Sequence, residues 1–308
     1  MDEHLLIQKY FSNIGSAYLA EHNVEVSIGD DASVTSANIN SQYINSIDTS
    51  ILGVHFLESM TPEEIAYRAC VVALSDLAAC GAKPCWYSIS LTFPEFNEDW
   101  LSEFSSGLNR FSEEYKIPLI GGDTTKGYLS ITVQVMGQVD SGKAILRSNA
   151  KENELILVSG KIGNAFLGLK QLEENSTSKN YQDFYKSPKA RIELGMELVG
   201  LATSAIDISD GLLQDLNLLC ESSNIGAEIF ADQIPTSSKK ILLELINSGD
   251  DYELCFTAKE SDIDSIQDIS RKLHIPITVI GRTNSSQELV LFDESKKRME
   301  IGSGYKHF

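Results

Sequence analysis

The sequence predicts two mixed domains of the α/β and α+β classes, and three observations carry that prediction. Stretches with period-two alternation, such as residues 86–93, recur beside stretches with helical periodicity, such as residues 97–115, and both halves of the chain mix the two. Over residues 141–153 the texture turns polar and turn-rich (RSNAKENE, 147–154), and a fresh apolar strand opens at Leu155. A chain of 308 residues is long enough for two hydrophobic cores. The predicted division is 1–145 and 146–308.

The first half is organised around residues 61–82, TPEEIAYRACVVALSDLAACGA. Thr61 and Glu64 form a Thr-x-x-Glu capping box, and Pro62 suits the first helical position. From Ala69 to Cys80 nearly every residue is apolar or small, the pattern of a helix buried all round. Asp76 lies inside that run. A carboxylate there needs a proton, a cationic or backbone partner, or a metal ion, and the helix alone does not choose between them.

The other elements follow in order. Residues 4–20 predict an amphipathic helix through Leu5, Ile7, Tyr10, Phe11 and Ile14. Gly29-Asp30-Asp31 reads as a polar turn or as a pair of ligands. Residues 43–47 predict a strand ending in Asp48-Thr49, followed by His55, a residue type more often structural than functional. A short strand over 117–120 runs into Gly121-Gly122-Asp123-Thr124-Thr125, where glycine allows close backbone approach to a ligand and the acid suits a metal. Residues 129–139 predict another strand. In the second half GKIG (160–163) is a glycine turn lacking the P-loop pattern. Residues 173–186 read as a polar excursion, and Ser187-Pro188 as the cap of the next helix. A strand ends in Asp207-Ile208-Ser209-Asp210 and enters a helix through Leu219; strand, helix, strand and helix follow to Ile246, then SGDDYEL (248–254). The terminal GYKHF is unusually aromatic for a tail.

Composition narrows the function. A net charge of −19 argues against a broad nucleic-acid surface but not against phosphorylated ligands bridged by divalent cations. Five cysteines without a C-x-x-C pair read as reduced, buried thiols. No stretch approaches a membrane span and the N-terminus does not read as a signal peptide, so a cytoplasmic protein is expected. Aspartates recur at strand-to-turn junctions (30, 31, 48, 123, 207, 210, 250) with no His/Cys cluster, which favours Mg²⁺ and a highly charged ligand such as a nucleoside triphosphate. Walker and protein-kinase signatures are both missing.

Taken together, IGDDAS, SIDTS, HF, LSDLAACGA, LIGGDTTKG, RS, AIDISDGL, SGDDYEL and GYKHF resemble the thiamine-monophosphate kinases, in family order and over nearly the whole chain. The resemblance implies the two-domain fold of the aminoimidazole ribonucleotide synthetase-like superfamily: an N-terminal α/β domain that pairs in a homodimer, then a C-terminal α+β domain. It implies ATP-dependent phosphorylation of thiamine monophosphate by direct in-line transfer, with no catalytic base. It makes Asp30, Asp48, Thr49, Asp76, Asp123, Asp207 and Asp210 ligands of several Mg²⁺ ions. ATP contacts would be Tyr115, Gly122, Asp123, Arg147 and Ser209, with Asp210 and Arg147 catalytic. Substrate contacts would be His55, Asp250 and Tyr305. Two departures stand out: Ile47 replaces a hydroxyl residue, and Asp250 replaces a glutamate. The rival readings are another ATP-using enzyme of the superfamily and a non-catalytic divalent-metal-binding protein.

Overall fold

Residues 3–30 and 32–300 are described by the structure, a computed structural model. The chain divides into two units, Met1–Leu77 with Lys83–Gly142, and Lys143–Phe308 with the short piece Ala78–Ala82.

The first unit contains α1 (Glu3–Tyr10), β1 (Val24–Val26), β2 (Val34–Thr35), β3 (Ser41–Ile51), α2 (Pro62–Ala79, except its last turn), β4 (Lys83–Phe93), α3 (Glu98–Tyr115), β5 (Leu119–Lys126) and β6 (Ser130–Asp140). Strands β1 and β2 form their own ribbon; the other four make a sheet of order β3-β6-β4-β5, in which β4 and β5 are parallel. Alternation gives the sheet two different faces. Tyr87, Ile89 and Leu91 on β4 and Ile131, Val133 and Val135 on β6 are buried. That face carries the helices: the rings of Tyr87 and Phe111 of α3 meet edge-on at 5.0 Å. Gly107 lets α3 approach α2, since a Cβ there would lie 2.3 Å from the carbonyl oxygen of Glu63. The opposite face bears Tyr43, Ile47, Trp86 and Gln134 and is partly open to solvent.

The predicted capping box is present at α2: Thr61 N–H donates to Glu64 Oε2 at 2.9 Å and Glu64 N–H to Thr61 Oγ1 at 3.2 Å. From Ile65 to Ala79 every residue of the helix is buried except Val72 and Asp76, four residues apart, which are half-buried. The two lie on one face of the helix.

Three expectations for this unit are corrected. The first helix stops at Tyr10 instead of running to residue 20; the chain continues in turns to Gly15 (φ 62°), where a Cβ would lie 2.7 Å from Pro118 Cα and a helix could not pass. Asp48 and Thr49 lie within β3, not at its end, because β3 pairs with β6 along its whole length. Gly121 through Thr125 is likewise strand, paired with Ser88 through Thr92 of β4, not a loop after one.

The second unit runs β7 (Leu155–Ser159), α4 (Asn164–Glu173), α5 (Gln182–Lys186), α6 (Ile192–Glu197), β8 (Ala202–Asp207), α7 (Leu212–Ser223), β9 (Gly226–Phe230), α8 (Leu242–Asn247), β10 (Leu254–Ala258), α9 (Ile263–Leu273), β11 (Ile277–Asn284) and β12 (Leu289–Phe292). Its sheet has the order β12-β9-β11-β7-β10-β8, antiparallel except between β12 and β9. Strands β7 and β10 are buried at every position, as their unbroken apolar runs require. The apolar side of α7 (Leu212, Leu216, Leu219) packs with Ile156, Val158, Ile206 and Ile229 in one core.

Two local expectations are corrected here, and a third is completed. Ser187-Pro188 caps no helix: Ser187 N–H closes α5 onto Asp183 O, and the next helix starts at Ile192. The excursion over 173–186 ends as helix α5 with Tyr185 buried. Between α7 and Ile246 there is one strand and one helix, β9 and α8, instead of two of each.

Candidate functional site

A cavity of about 590 Å³ follows β5, one of the two edge strands of the first unit's sheet. Ile7, Phe11, Ile89, Leu91 and Leu119 make its walls apolar, and the turn Ser27–Asp30 with Asp123 and Thr124 makes it polar. That is the size and mixture of a small-molecule site. Of the sequence-predicted residues it brings together Asp30, Gly122 and Asp123. The two glycines differ in role. A Cβ on Gly122 would lie 2.0 Å from Ile89 O, so strand pairing excludes a side chain there. A Cβ on Gly121 would meet nothing within 4 Å, so Gly121 is the position that opens backbone to a ligand.

Asp48, Thr49 and Asp76 are outside the cavity lining. Adjacent strand residues point to opposite faces, so Asp48 and Thr49 cannot both turn their side chains to one ion. Thr49 Oγ1 pairs with Thr132 Oγ1 at 2.8 Å on the open face. Asp48 shares the helix-side face with Ser46, whose hydroxyl bonds Asp76 Oδ2. Asp76 is thus half-buried and partnered, not sealed in a dry core.

His55 follows β3, and its ring is oriented by Ile51 N–H, which donates to Nδ1 at 3.0 Å. Its carbonyl oxygen accepts from Nε of the buried Arg68 at 3.3 Å. An Nδ1 that accepts leaves the neutral ring's proton on Nε2, making His55 a hydrogen-bond donor. Tyr115 ends α3, half-buried, with its ring 5.1 Å from Phe111; it does not line the cavity.

In the second unit Asp207 ends β8, and Ser209-Asp210-Gly211 links it to α7. Asp207 is buried, while Ser209 and Asp210 are half-buried. The segment 248–252 lies against this loop: Asp250 N–H donates to Ser209 O at 2.8 Å and Tyr252 N–H to Ile208 O at 2.9 Å. Gly249 is required there, since a Cβ would fall 1.9 Å from Ser209 O. Asp250 (φ 70°) and Tyr252 (φ 51°) both adopt left-handed backbone, and Tyr252 Oη donates to Asp250 Oδ1 at 2.8 Å. Holding two non-glycine residues there costs energy, a frequent mark of functional segments.

Arg147 is exposed. Its carbonyl oxygen accepts from Ser223 Oγ at 2.6 Å, at the last residue of α7. Asp210 precedes the first. The first and last of the 12 residues of α7 are about eleven steps of 1.5 Å apart, roughly 17 Å. The structure does not bring Arg147 and Asp210 together within this unit. Tyr305 lies outside the described residues, as does the whole GYKHF tail.

Two groups escaped the sequence reading. Asp215, on the first turn of α7, accepts N–H bonds from Ser209, Asp210 and Gly211 on a single oxygen, at 3.0, 3.0 and 3.1 Å. Burial pushes its carboxyl up to about 7, against the pull of those donors. Glu253 forms a bidentate pair with Arg191 and accepts from Ser159 Oγ at 2.5 Å. In sequence Asp215 is one more acid beside the S-D-G turn and Glu253 one more in DDYE; only tertiary contact distinguishes them.

Among the described residues no three His, Cys, Asp or Glu side chains gather into a preformed metal cluster. Asp30 and Asp123 both line the cavity, and Asp48 shares its sheet face with Ser46, the partner of Asp76. Such acids suit Mg²⁺, which is commonly held by one or two carboxylates plus substrate phosphates and water. Cys70, Cys85, Cys220 and Cys255 are buried, and burial pushes the thiol of Cys85 up to about 11, which makes it a poor metal ligand. No helix among the described residues is long and apolar enough to cross a membrane.

Residues 29–139 match the family described as AIR synthase related protein, N-terminal domain, and residues 150–294 its C-terminal domain. The thiamine-monophosphate kinase of Haemophilus influenzae is 38% identical, over 100% of this chain and 98% of that protein. The crystal structure of thiamine-monophosphate kinase from Stenotrophomonas maltophilia superposes with a TM-score of 0.85 at 33% identity, covering 91% of this chain and 96% of that one. The structure of AaThiL complexed with AMPPCP and TMP gives a TM-score of 0.76 at 27% identity, with 95% of each chain covered.

Proposed function

The chain belongs to the thiamine-monophosphate kinases, two-domain AIR-synthase-related proteins, and from that membership we propose how its residues carry out ATP-dependent phosphorylation of thiamine monophosphate. The observation that carries the assignment is full-length likeness to this kinase in sequence, together with likeness in fold to a relative complexed with AMPPCP and TMP. The same likeness displaces the other superfamily enzymes and the non-catalytic metal binder as readings.

The cavity along β5 suits the nucleotide, with its apolar wall against the base and the open backbone of Gly121 beside it. Asp30, Asp48, Asp76, Asp123, Asp207 and Asp210 are proposed Mg²⁺ ligands, with Thr49 limited to its backbone carbonyl if it shares an ion with Asp48. Bound Mg²⁺ would supply charge neutralisation on the phosphates. Gly122, Tyr115, Arg147 and Ser209 are proposed nucleotide contacts, and Arg147 touches a different part of the ligand from Asp210. His55 donates from Nε2 to the acceptor substrate, and Asp250 and Tyr305 contact it as well. The acceptor is a phosphate oxygen already anionic at neutral pH, so the chain's task is positioning and electrostatics, without a general base. A homodimer would form through the partly open sheet face bearing Tyr43, Ile47 and Trp86, and the working compartment is the cytoplasm.

The deciding experiment is incubation with ATP, Mg²⁺ and thiamine monophosphate, followed by chromatography. Thiamine diphosphate and ADP should form in equal amounts, and free thiamine should be a poor acceptor. Equal rates with thiamine and its monophosphate would overturn the proposal.

A further inference from the structure

We propose that Asp215 is a positioning residue for the reaction, holding the loop that carries Ser209 and Asp210 in its working shape. This rests on the roles proposed above for those two residues. Asp215 is 2% exposed, and one of its oxygens takes all three successive N–H groups of Ser209, Asp210 and Gly211.

These bonds serve the loop more than the helix. The N–H groups that this helix leaves unpaired are those of its N-cap Gly211 and the three residues after it, so the bonds from Ser209 and Asp210 lie outside the helix. Asp215 reaches back past the first turn to three residues that precede Leu212. Successive N–H groups converging in this way form a concavity that would otherwise attract an anion, such as a ligand phosphate. Asp215 fills it from within, which leaves Ser209 and Asp210 to meet a ligand through their side chains. Gln214 adds a second restraint, donating from Nε2 to Asp210 Oδ2 at 3.0 Å. From the other side Gly249 and the N–H of Asp250 close on Ser209 O. The loop is thus pinned at every residue, and Asp215 supplies the largest set of bonds.

The test compares Asp215→Asn and Asp215→Glu with Asp210→Asn. Asparagine keeps the size and one acceptor oxygen but loses the charge; glutamate keeps the charge and moves the acceptor by one methylene. For each protein, urea unfolding gives the folded fraction. Steady-state kinetics give kcat and the Mg²⁺ concentration for half-maximal rate. Calorimetry gives affinity for a non-hydrolysable ATP analogue with and without Mg²⁺. Losing a group that orients a metal ligand typically costs 10–100-fold. Both Asp215 variants should therefore show, per folded molecule, kcat lowered or Mg²⁺ requirement raised on the order of 10–100-fold. Their Mg²⁺-dependent analogue binding should weaken, while the KM for thiamine monophosphate stays near wild type. Activity that merely tracks the folded fraction in whichever Asp215 variant folds, with unchanged Mg²⁺ requirement, overturns the proposal. An Asp210→Asn protein with wild-type kinetics removes Asp210 from the site and the role of Asp215 with it.

Discussion

The hydroxyl of Ser46 on β3 bonds the carboxylate of Asp76 on α2, which with Val72 is half-buried in an otherwise buried stretch of that helix. A half-buried, partnered aspartate can be neutralised without leaving a hole or an orphaned charge, and Asn keeps an acceptor for the hydroxyl. Asp76→Asn should keep the apo fold, with a urea midpoint at or above wild type. As a proposed Mg²⁺ ligand it should lose orders of magnitude in kcat. A variant that unfolds readily but turns over normally when folded would make Asp76 a structural residue.

The Arg191–Glu253 pair is a separate case, because Glu253 is almost fully buried at 6% exposure. Its carboxylate also accepts from Ser159, and Gly160 leaves the space: a Cβ there would lie 1.9 Å from Oε1. Removing one partner strands a buried charge, so Arg191→Met should cost about 3–5 kcal/mol. Replacing both, with Arg191→Met and Glu253→Leu, should recover much of that loss. Chemical denaturation of the two single variants and the double variant closes the cycle. Strictly additive losses would show that the pair is not coupled.

His22 predicts a pH dependence. It is buried, its Nε2 lies 2.8 Å from Lys116 O, and burial lowers its pKa below the ordinary 6.5. The folded ring stays neutral where the unfolded one takes up a proton. Its contribution to stability is therefore present above about pH 6.5 and is lost as pH falls through the lowered folded value, at a slope of at most about 1.4 kcal/mol per pH unit. His22→Gln removes the titration and keeps a donor for Lys116 O. Urea midpoints at pH 7.5 and 5.5 should fall more for wild type than for the variant. Equal falls would exclude His22 as a source of acid sensitivity.

What the sequence disclosed depended on how local the physics was. The capping box of α2 and the alternation of β4 are fixed within a few residues, and both are found in the structure. The length of β3 and the strand character of Gly121–Thr125 are not, because pairing with β6 and β4 decides them. The turn at Gly15, packed against Pro118 about a hundred residues away in sequence, is likewise something that no periodicity reports. Within the site the acids were visible as residue types. The meeting of Asp30 and Asp123 at one cavity, the opposite facing of Asp48 and Thr49, and the clamp by Asp215 follow from register and tertiary contact.

Arg147 and Asp210 should separate kinetically, because α7 holds them at opposite ends, roughly 17 Å apart at the backbone. An arginine side chain cannot span that distance, so the two cannot neutralise charge on one oxygen from these positions. Arg147 is exposed and suited to a bidentate contact with a phosphate away from the reacting centre. A contact of that kind is made equally in ground and transition states, so Arg147→Ala should raise the KM for ATP about tenfold or more and change kcat little. Asp210→Asn should do the reverse, lowering kcat by orders of magnitude with a smaller effect on the KM for ATP, since charge neutralisation at the transferring group matters most in the transition state. Steady-state kinetics with ATP and thiamine monophosphate varied in turn would separate the two. A kcat loss in Arg147→Ala equal to that of Asp210→Asn would mean that both act at the reacting phosphoryl group, and that the chain rearranges around α7 to bring them there.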